Sequence, residues 1–369
     1  MKLSKNSQVF LALVSAGLWE SKVRLLPYGD VNYSVVYQLA EEQSVVGLVL
    51  AGIEQSEVKP PQVLLLQWIG EVQMIEQQNR VMNEFVARLI GQLREEDVYA
   101  ILVKGQGIAQ CYDRPLWRVS GDVDLLLSSN NYEKAKKVLL PLAVETDTEY
   151  KSLKHLGMTM KNGFVVELHG TMHSRLSNRI DKTIDDAQND VFCGGHVRSW
   201  DNNGTQVFLP APDNDVIFVF THILKHFYIE GIGLRQICDW CRLLWTYKDS
   251  LNYGLLESRI KKMGLMSEWK AFYNLASRYL GMPDFGSGLM VHDSRYDKKA
   301  DRIMEFVLET GNFGHNREIK RSENFFVGKI QAAWFKMGDF ARHAKLFPLD
   351  SVKFFWHFMR DGLVLAISK

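Results

Sequence analysis

The run Gly121-Asp122-Val123-Asp124-Leu125-Leu126-Leu127 constrains this chain more than any other stretch. Its apolar tail has the character of a strand, and side chains on a strand alternate between faces. Asp122 and Asp124 therefore point one way, and Val123 and Leu125 point the other way, into a core. The fold must supply a sheet with one packed face and one face that tolerates two crowded carboxylates. Such a pair repels, and one pKa should rise unless cations sit between them. A divalent ion relieves that repulsion, and hard oxygen donors with open positions suit Mg²⁺ or Mn²⁺. Taken alone, Asp-x-Asp is common, and a solvated turn with two surface acids would read the same.

The surrounding periodicity narrows the choice. Residues 1–95 carry helical spacing, clearest in Leu65, Trp68, Ile69, Val72, Ile75, Val81, Phe85, Leu89 and Leu93. Pro60 and Pro61 mark the preceding segment, Glu54 to Gln62, as a loop. Val98–Val103 predicts a buried strand ending at Lys104-Gly105, Val123–Leu127 predicts a second, and Asn131–Leu140 predicts a helix. Two hairpins follow, 155–160 with 164–169 around Asn162-Gly163, and 196–200 with 205–209 around Asn203-Gly204. Helical spacing returns after Pro210, with Asp213 as a suitable N-cap. The expected organisation is α+β: helices over 1–95, a mixed core over 96–210, and helices over 211–369.

Composition excludes several classes. With 44 Lys+Arg against 43 Asp+Glu in 369 residues, the chain is not built to coat nucleic acid over its whole surface. Four cysteines, Cys111, Cys193, Cys238 and Cys241, are too few for a disulfide framework in a chain of this length. Cys238 and Cys241 form a Cys-x-x-Cys inside a helical pattern, which reads as buried helical thiols and suits a reducing cytoplasm. Lys2 and Lys5 before the apolar stretch Val9–Leu18 faintly resemble a secretion signal, but Phe10, Val14 and Leu18 follow helical spacing and favour a mature helix. No run is long enough for a membrane span. The stretch 315–369 carries ten Lys/Arg against five Asp/Glu, with Phe325, Phe326, Trp334, Phe335, Phe340, Phe354, Phe355, Trp356 and Phe358 interleaved. Amphipathic helices with aromatics in the core explain it better than nucleic-acid or membrane contact.

Other chemistry-bearing residues gather around the two acids. Gly105 and Gly107 at a strand end would let backbone amides approach phosphate oxygens. Glu167 lies on a later apolar strand, where Val165, Glu167 and His169 share a face, and an acid there needs a partner. Leu102-Val103-Lys104-Gly105, Tyr112, Arg118-Val119-Ser120-Gly121-Asp122-Val123-Asp124-Leu125-Leu126 and Glu167-Leu168-His169 together resemble the poorly characterised bacterial nucleotidyltransferase family of the DNA polymerase β-like superfamily. The close likeness covers about 98–170, and a weaker one covers 210–245, with His222, His226 and Arg235-x-x-x-Asp239.

That resemblance implies a polymerase β-like core, a small mixed sheet with helices on one face. It implies transfer of a nucleoside monophosphate from a nucleoside triphosphate, ATP among them, to an acceptor hydroxyl, with release of pyrophosphate. Asp122, Asp124 and Glu167 would be the catalytic acids and hold two Mg²⁺ or Mn²⁺ ions. Gly105 matches the glycine of the phosphate-binding turn, while Gln106 stands where the superfamily usually has serine. Lys104, Gly105, Gln106, Arg118 and Ser120 are the expected nucleotide- or phosphate-binding residues, Lys104 and Arg118 with structural alternatives as ion-pair and loop brace. His169, His222 and His226 are expected to line the cleft, and Arg235 with Asp239 reads most simply as an intrahelical pair. The acceptor, a small molecule, protein side chain or RNA end, is left open. A catalytically silent nucleotide- or partner-binding module is the main alternative. A glycosyltransferase using Asp-x-Asp fits less well, because there the apolar strand usually precedes the motif rather than following it.

Overall fold

The computed structural model describes residues 3–149, 154–229, 231–286, 288–312 and 337–367. The chain opens with α1 (Lys5–Leu18), α2 (Tyr33–Glu42), α3 (Val46–Glu54) and α4 (Gln62–Glu95), and Ser4 and Asn32 cap the first two. Glycine is required where α1 crosses α3: a Cβ on Gly17 would overlap the Leu48 carbonyl, and one on Gly52 would overlap the Leu13 carbonyl. The amphipathic stretch at the N-terminus is thus a packed helix. Helix α4 is 34 residues long and serves two cores. Trp68 and Val72 enter the large helical core, while Met82, Val86, Leu89 and Leu93 pack on the sheet. Val81, assigned to the apolar face by its spacing, is instead exposed.

The sheet has seven strands: β1 (Ile101–Val103), β2 (Asp122–Leu126), β3 (Ala143–Thr146), β4 (His155–Met160), β5 (Val165–His169), β6 (Val197–Asn202) and β7 (Thr205–Pro210). Their order is β3-β4-β5-β2-β1-β7-β6. Strands β2 and β5 run parallel with Asp124 beside Glu167, and β1 runs antiparallel to β2 with Val103 beside Asp124. Both expected hairpins are present as β4–β5 and β6–β7. β1 is shorter than expected because the Val98 amide bonds back to Leu93 at the end of α4. The edge strand β3 carries no alternating signal, since most of it faces solvent.

The sheet divides its side chains between two environments. Val123, Leu125, Leu156, Met158, Val166 and Leu168 point into a core closed by α4 and by Tyr132, Ala135 and Leu139 of α6 (Ser129–Leu139). The opposite face, with Asp122, Asp124, Glu167 and His169, looks towards α8 (Pro212–Ile229) and α9 (Leu234–Thr246). Asp213 is not the N-cap of α8. The helix starts at Pro212, the Asn214 and Asp215 amides bond the Ala211 carbonyl, and Asp213 accepts from the Asn252 amide.

The remaining helices, including α10 (Tyr253–Met263), α11 (Met266–Leu280), α12 (Asp297–Thr310) and Pro348–Ile367, extend the large core; α7 (Asn178–Phe192) lies between β5 and β6 in the chain. Phe354 is buried there and Trp356 is exposed. Phe325, Phe326, Trp334, Phe335 and the side chain of Phe358 lie outside the described residues. Cys238 and Cys241 are buried free thiols whose pKa burial pushes up. Among the described residues no helix is long and apolar enough to cross a membrane.

Candidate active site

Strand alternation and the parallel pairing of β2 with β5 bring Asp122, Asp124 and Glu167 to one face. One carboxylate oxygen from each lies within 4.8 Å of the others. They stand at the wall of a cavity of about 850 Å³, which also borders Lys104, Gly105, His169, His222, His226 and Arg235.

The three acids do not share one environment. Repulsion from Asp124, with burial, lifts the Asp122 pKa, and Lys104 only partly offsets it. Asp124 goes the other way: burial would raise it, but the Lys104 ammonium and the bond from His169 hold it below the usual carboxylate range. Lys104 Nζ lies 2.8 Å from Asp124 Oδ1, and His169 Nε2 lies 2.7 Å from the same oxygen. Hydrogen bonds from His155 and His169 hold Glu167 well down. Burial alone would lower His169, and its bonds to Asp124 and Glu167 outweigh that and raise it. Asp124 Oδ1 is therefore held by both Lys104 and His169, and Asp122 is the acid whose charge is least compensated.

The turn before α5 (Gly105–Ala109) sets Lys104 in place. Lys104 has φ +56° and Gly105 φ +37°, a backbone that L side chains adopt at a cost of about 1–3 kcal/mol. Gly107 lies away from the cavity, where a Cβ would press on Leu209 at 2.7 Å. Gln106 is 2% exposed and points inward, its Nε2 donating to Asn79 Oδ1 at 3.1 Å. Asn79, mid-way along α4, donates in turn to the Leu116 and Arg118 carbonyls. The Gln106 side chain thus braces the loop entering β2 and does not reach the cavity.

Arg118 and Ser120 belong to the same brace. Arg118 makes a two-pronged bond to Asp239, Nε to Oδ1 at 2.8 Å and a terminal nitrogen to Oδ2 at 2.7 Å, and donates to Ser120 Oγ at 2.7 Å. Tyr112 adds its hydroxyl to Asp239. Asp239 is therefore spoken for across the fold, and the expected intrahelical pair with Arg235 does not form. Arg235 instead donates to the Val119 carbonyl at 2.6 Å, and its buried Nε has no partner among the described residues. Arg235 borders the cavity and feels the charge of Asp122. Sequence reasoning missed it as a site residue because the four-residue spacing gave it a local partner.

On the far wall His222 and His226 of α8 face each other, Nε2 to Nε2 at 3.1 Å. Burial, then Lys104 and His226, push His222 far down, so it is neutral. His155 on β4 was also missed. It sits opposite His169 in the β4–β5 ladder and its Nε2 is 3.2 Å from Glu167 Oε2. Only its position across a hairpin from Glu167 and His169 could have signalled it.

A family model described as uncharacterised nucleotidyltransferase matches residues 29–281, and the chain belongs to that family. The match spans α2 through α11, with the whole sheet inside it. A solved structure, the crystal structure of an antigenic nucleotidyltransferase-like protein from Paracoccidioides brasiliensis, is similar over 57% of this chain and 96% of its own, at 14% identity and a TM-score of 0.34. No curated protein matches the chain.

Proposed function

We propose that the chain transfers a nucleoside monophosphate from a nucleoside triphosphate to an acceptor hydroxyl in a reaction that requires Mg²⁺ or Mn²⁺. The observation that carries this reading is the convergence of Asp122, Asp124 and Glu167 on one cavity face within 4.8 Å. Three carboxylates that close supply the hard donor set such ions take, and the only partly compensated charge on Asp122 suits a bound cation. Asp122, Asp124 and Glu167 would hold the ions, which would supply neutralisation of the charge that develops on the transferred phosphoryl group. The acceptor hydroxyl oxygen bonds to the α-phosphorus as its proton passes to the Glu167 carboxylate, the bond from the α-phosphorus to the bridging oxygen breaks, and pyrophosphate leaves.

The chain's own groups position the reactants. Lys104, at the strained end of β1, is placed to exchange Asp124 for a phosphate oxygen. Arg235 brings a positive charge to the border of the same cavity. Gly105 borders the cavity, while Gln106, Arg118 and Ser120 hold the loop that carries Asp122. Glu167, kept ionised by two imidazoles, is the acid for the acceptor side, with His169, His222 and His226 lining the space around it. We assign this chemistry to a core over 96–210, with α8 and α9 of the region 211–369 completing its cleft and the region 1–95 flanking it. A cytoplasmic setting suits the four free thiols.

One observation favours a second reading, a silent nucleotide-binding module: Lys104 and His169 already neutralise Asp124 without any ion. Incubation with each α-labelled nucleoside triphosphate, Mg²⁺ or Mn²⁺ and a cell extract separates the two. Label on an acceptor with stoichiometric pyrophosphate supports transfer. Tight Mg²⁺-triphosphate binding with no pyrophosphate, whatever acceptor is offered, supports the silent module.

A further inference from the structure

The cavity holds a second group of donors, of a different chemical kind. His155 Nε2 lies 3.2 Å and His169 Nε2 3.4 Å from Glu167 Oε2, and one ligand atom from each of the three residues lies within 4.8 Å of the others. These separations are long beside the 2.7 Å bond that the same His169 Nε2 makes to Asp124, and beside the about 2.7–2.9 Å of bonds between imidazolium and carboxylate. They match the edge of a tetrahedron around zinc, about 3.3–3.4 Å for metal–ligand bonds of about 2.0–2.1 Å. The backbone fixes the arrangement, since His155 and His169 are direct partners in the β4–β5 ladder and Glu167 lies two residues before His169 on the same face. All three residues border the cavity, so a fourth position can be filled from it.

We propose that His155, Glu167 and His169 form a binding site for a first-row transition cation of the zinc class. Two imidazoles and one carboxylate select such an ion over Mg²⁺, which takes oxygen donors and gives up its waters reluctantly. The site shares Glu167 with the carboxylate triad and takes His169 Nε2, deprotonated, from its bond to Asp124, so an ion held by the imidazoles competes for both and opposes Mg²⁺-dependent chemistry at Asp122 and Asp124. Zinc binding does not depend on the transferase reading.

The test titrates the full chain with chelator-buffered Zn²⁺ in millimolar Mg²⁺, alongside visible absorption of the Co²⁺-loaded protein. The expected result is one Zn²⁺ per chain that Mg²⁺ does not displace, and Co²⁺ bands of a four- or five-coordinate nitrogen-containing site. His155→Gln, which keeps a hydrogen-bonding group beside Glu167, should weaken Zn²⁺ at least tenfold and remove the bands. Glu167→Gln should weaken it too, and Asp122→Asn should not. Metal-free melting curves establish that each variant is folded, and the Co²⁺ spectrum of the parent stands as a test without any variant. No Zn²⁺ binding in the parent overturns the proposal. So does binding unchanged in His155→Gln but lost in His226→Gln, which would place the ion on α8. Mg²⁺-triphosphate binding by His155→Gln, measured in parallel, reports on the transferase reading separately.

Discussion

At the scale of single residues, three acids within a few ångströms stand in three different electrostatic environments, because their neighbours differ. Asp122 is the acid whose ionisation its surroundings oppose, so Asp122→Asn should leave the metal-free fold as stable as the parent or slightly more so. It should also abolish the rise in melting temperature that Mg²⁺ and a triphosphate produce by linkage. Asp124→Asn should behave oppositely in the metal-free protein. It leaves Lys104 and His169 without their carboxylate, and breaking a buried pair costs about 3–5 kcal/mol. Thermal melts of the two variants without metal check this, and equal Tm values would remove the distinction. Glu167→Gln should cut turnover by orders of magnitude while changing triphosphate affinity little, as measured by pyrophosphate release against calorimetric titration. Equal release from parent and variant would make Glu167 structural.

At the scale of elements, the site depends on a brace that runs from α4 through Asn79 and Gln106 to the loop entering β2. Family likeness alone would suggest that Gln106→Ser improves phosphate contact. Burial says otherwise: the shorter side chain leaves Asn79 Oδ1 without its donor, a loss of about 1–3 kcal/mol. Denaturant unfolding should show that loss with no gain in triphosphate affinity. The elements themselves were largely legible, because strands with one buried face must alternate and α4 must keep its 3.6-residue stripe. From that alternation alone, Asp122 and Asp124 follow as one pair. What stayed hidden rests on contacts between distant segments. Arg118 and Asp239 are 121 residues apart, and their two-pronged bond defeats the local pairing of Arg235 with Asp239. Asn79 is a polar residue on an otherwise apolar stripe, and nothing in α4 itself says which carbonyls it serves. The exposed edge strand β3 had no apolar face to betray it.

At the scale of the whole molecule, a large helical core surrounds the sheet's charged face, and it too contains an ionisable group under strain. Glu268 of α11 is fully buried; Tyr228 donates to its Oε1, and its Oε2 has no hydrogen-bond partner among the described residues. Burial, then Asp350, raise its pKa to about 8. The folded chain therefore keeps a proton that the unfolded chain releases above its ordinary value near 4.5. This group's contribution to stability is fully present below that value, falls as pH rises towards about 8, and is lost above it. Glu268→Gln should leave Tm nearly unchanged at pH 4 and raise it at pH 8.5, so the variant's pH profile is flatter. A parallel downward shift at both pH values would show that Glu268 is ionised and needed. The central claim, that the three carboxylates run nucleotidyl transfer, is tested most directly by following pyrophosphate and α-label together in the parent and in Asp122→Asn. Transfer by this site gives label on an acceptor and equimolar pyrophosphate in the parent, with both lost in the variant. Equal pyrophosphate and label transfer from the two proteins would contradict it.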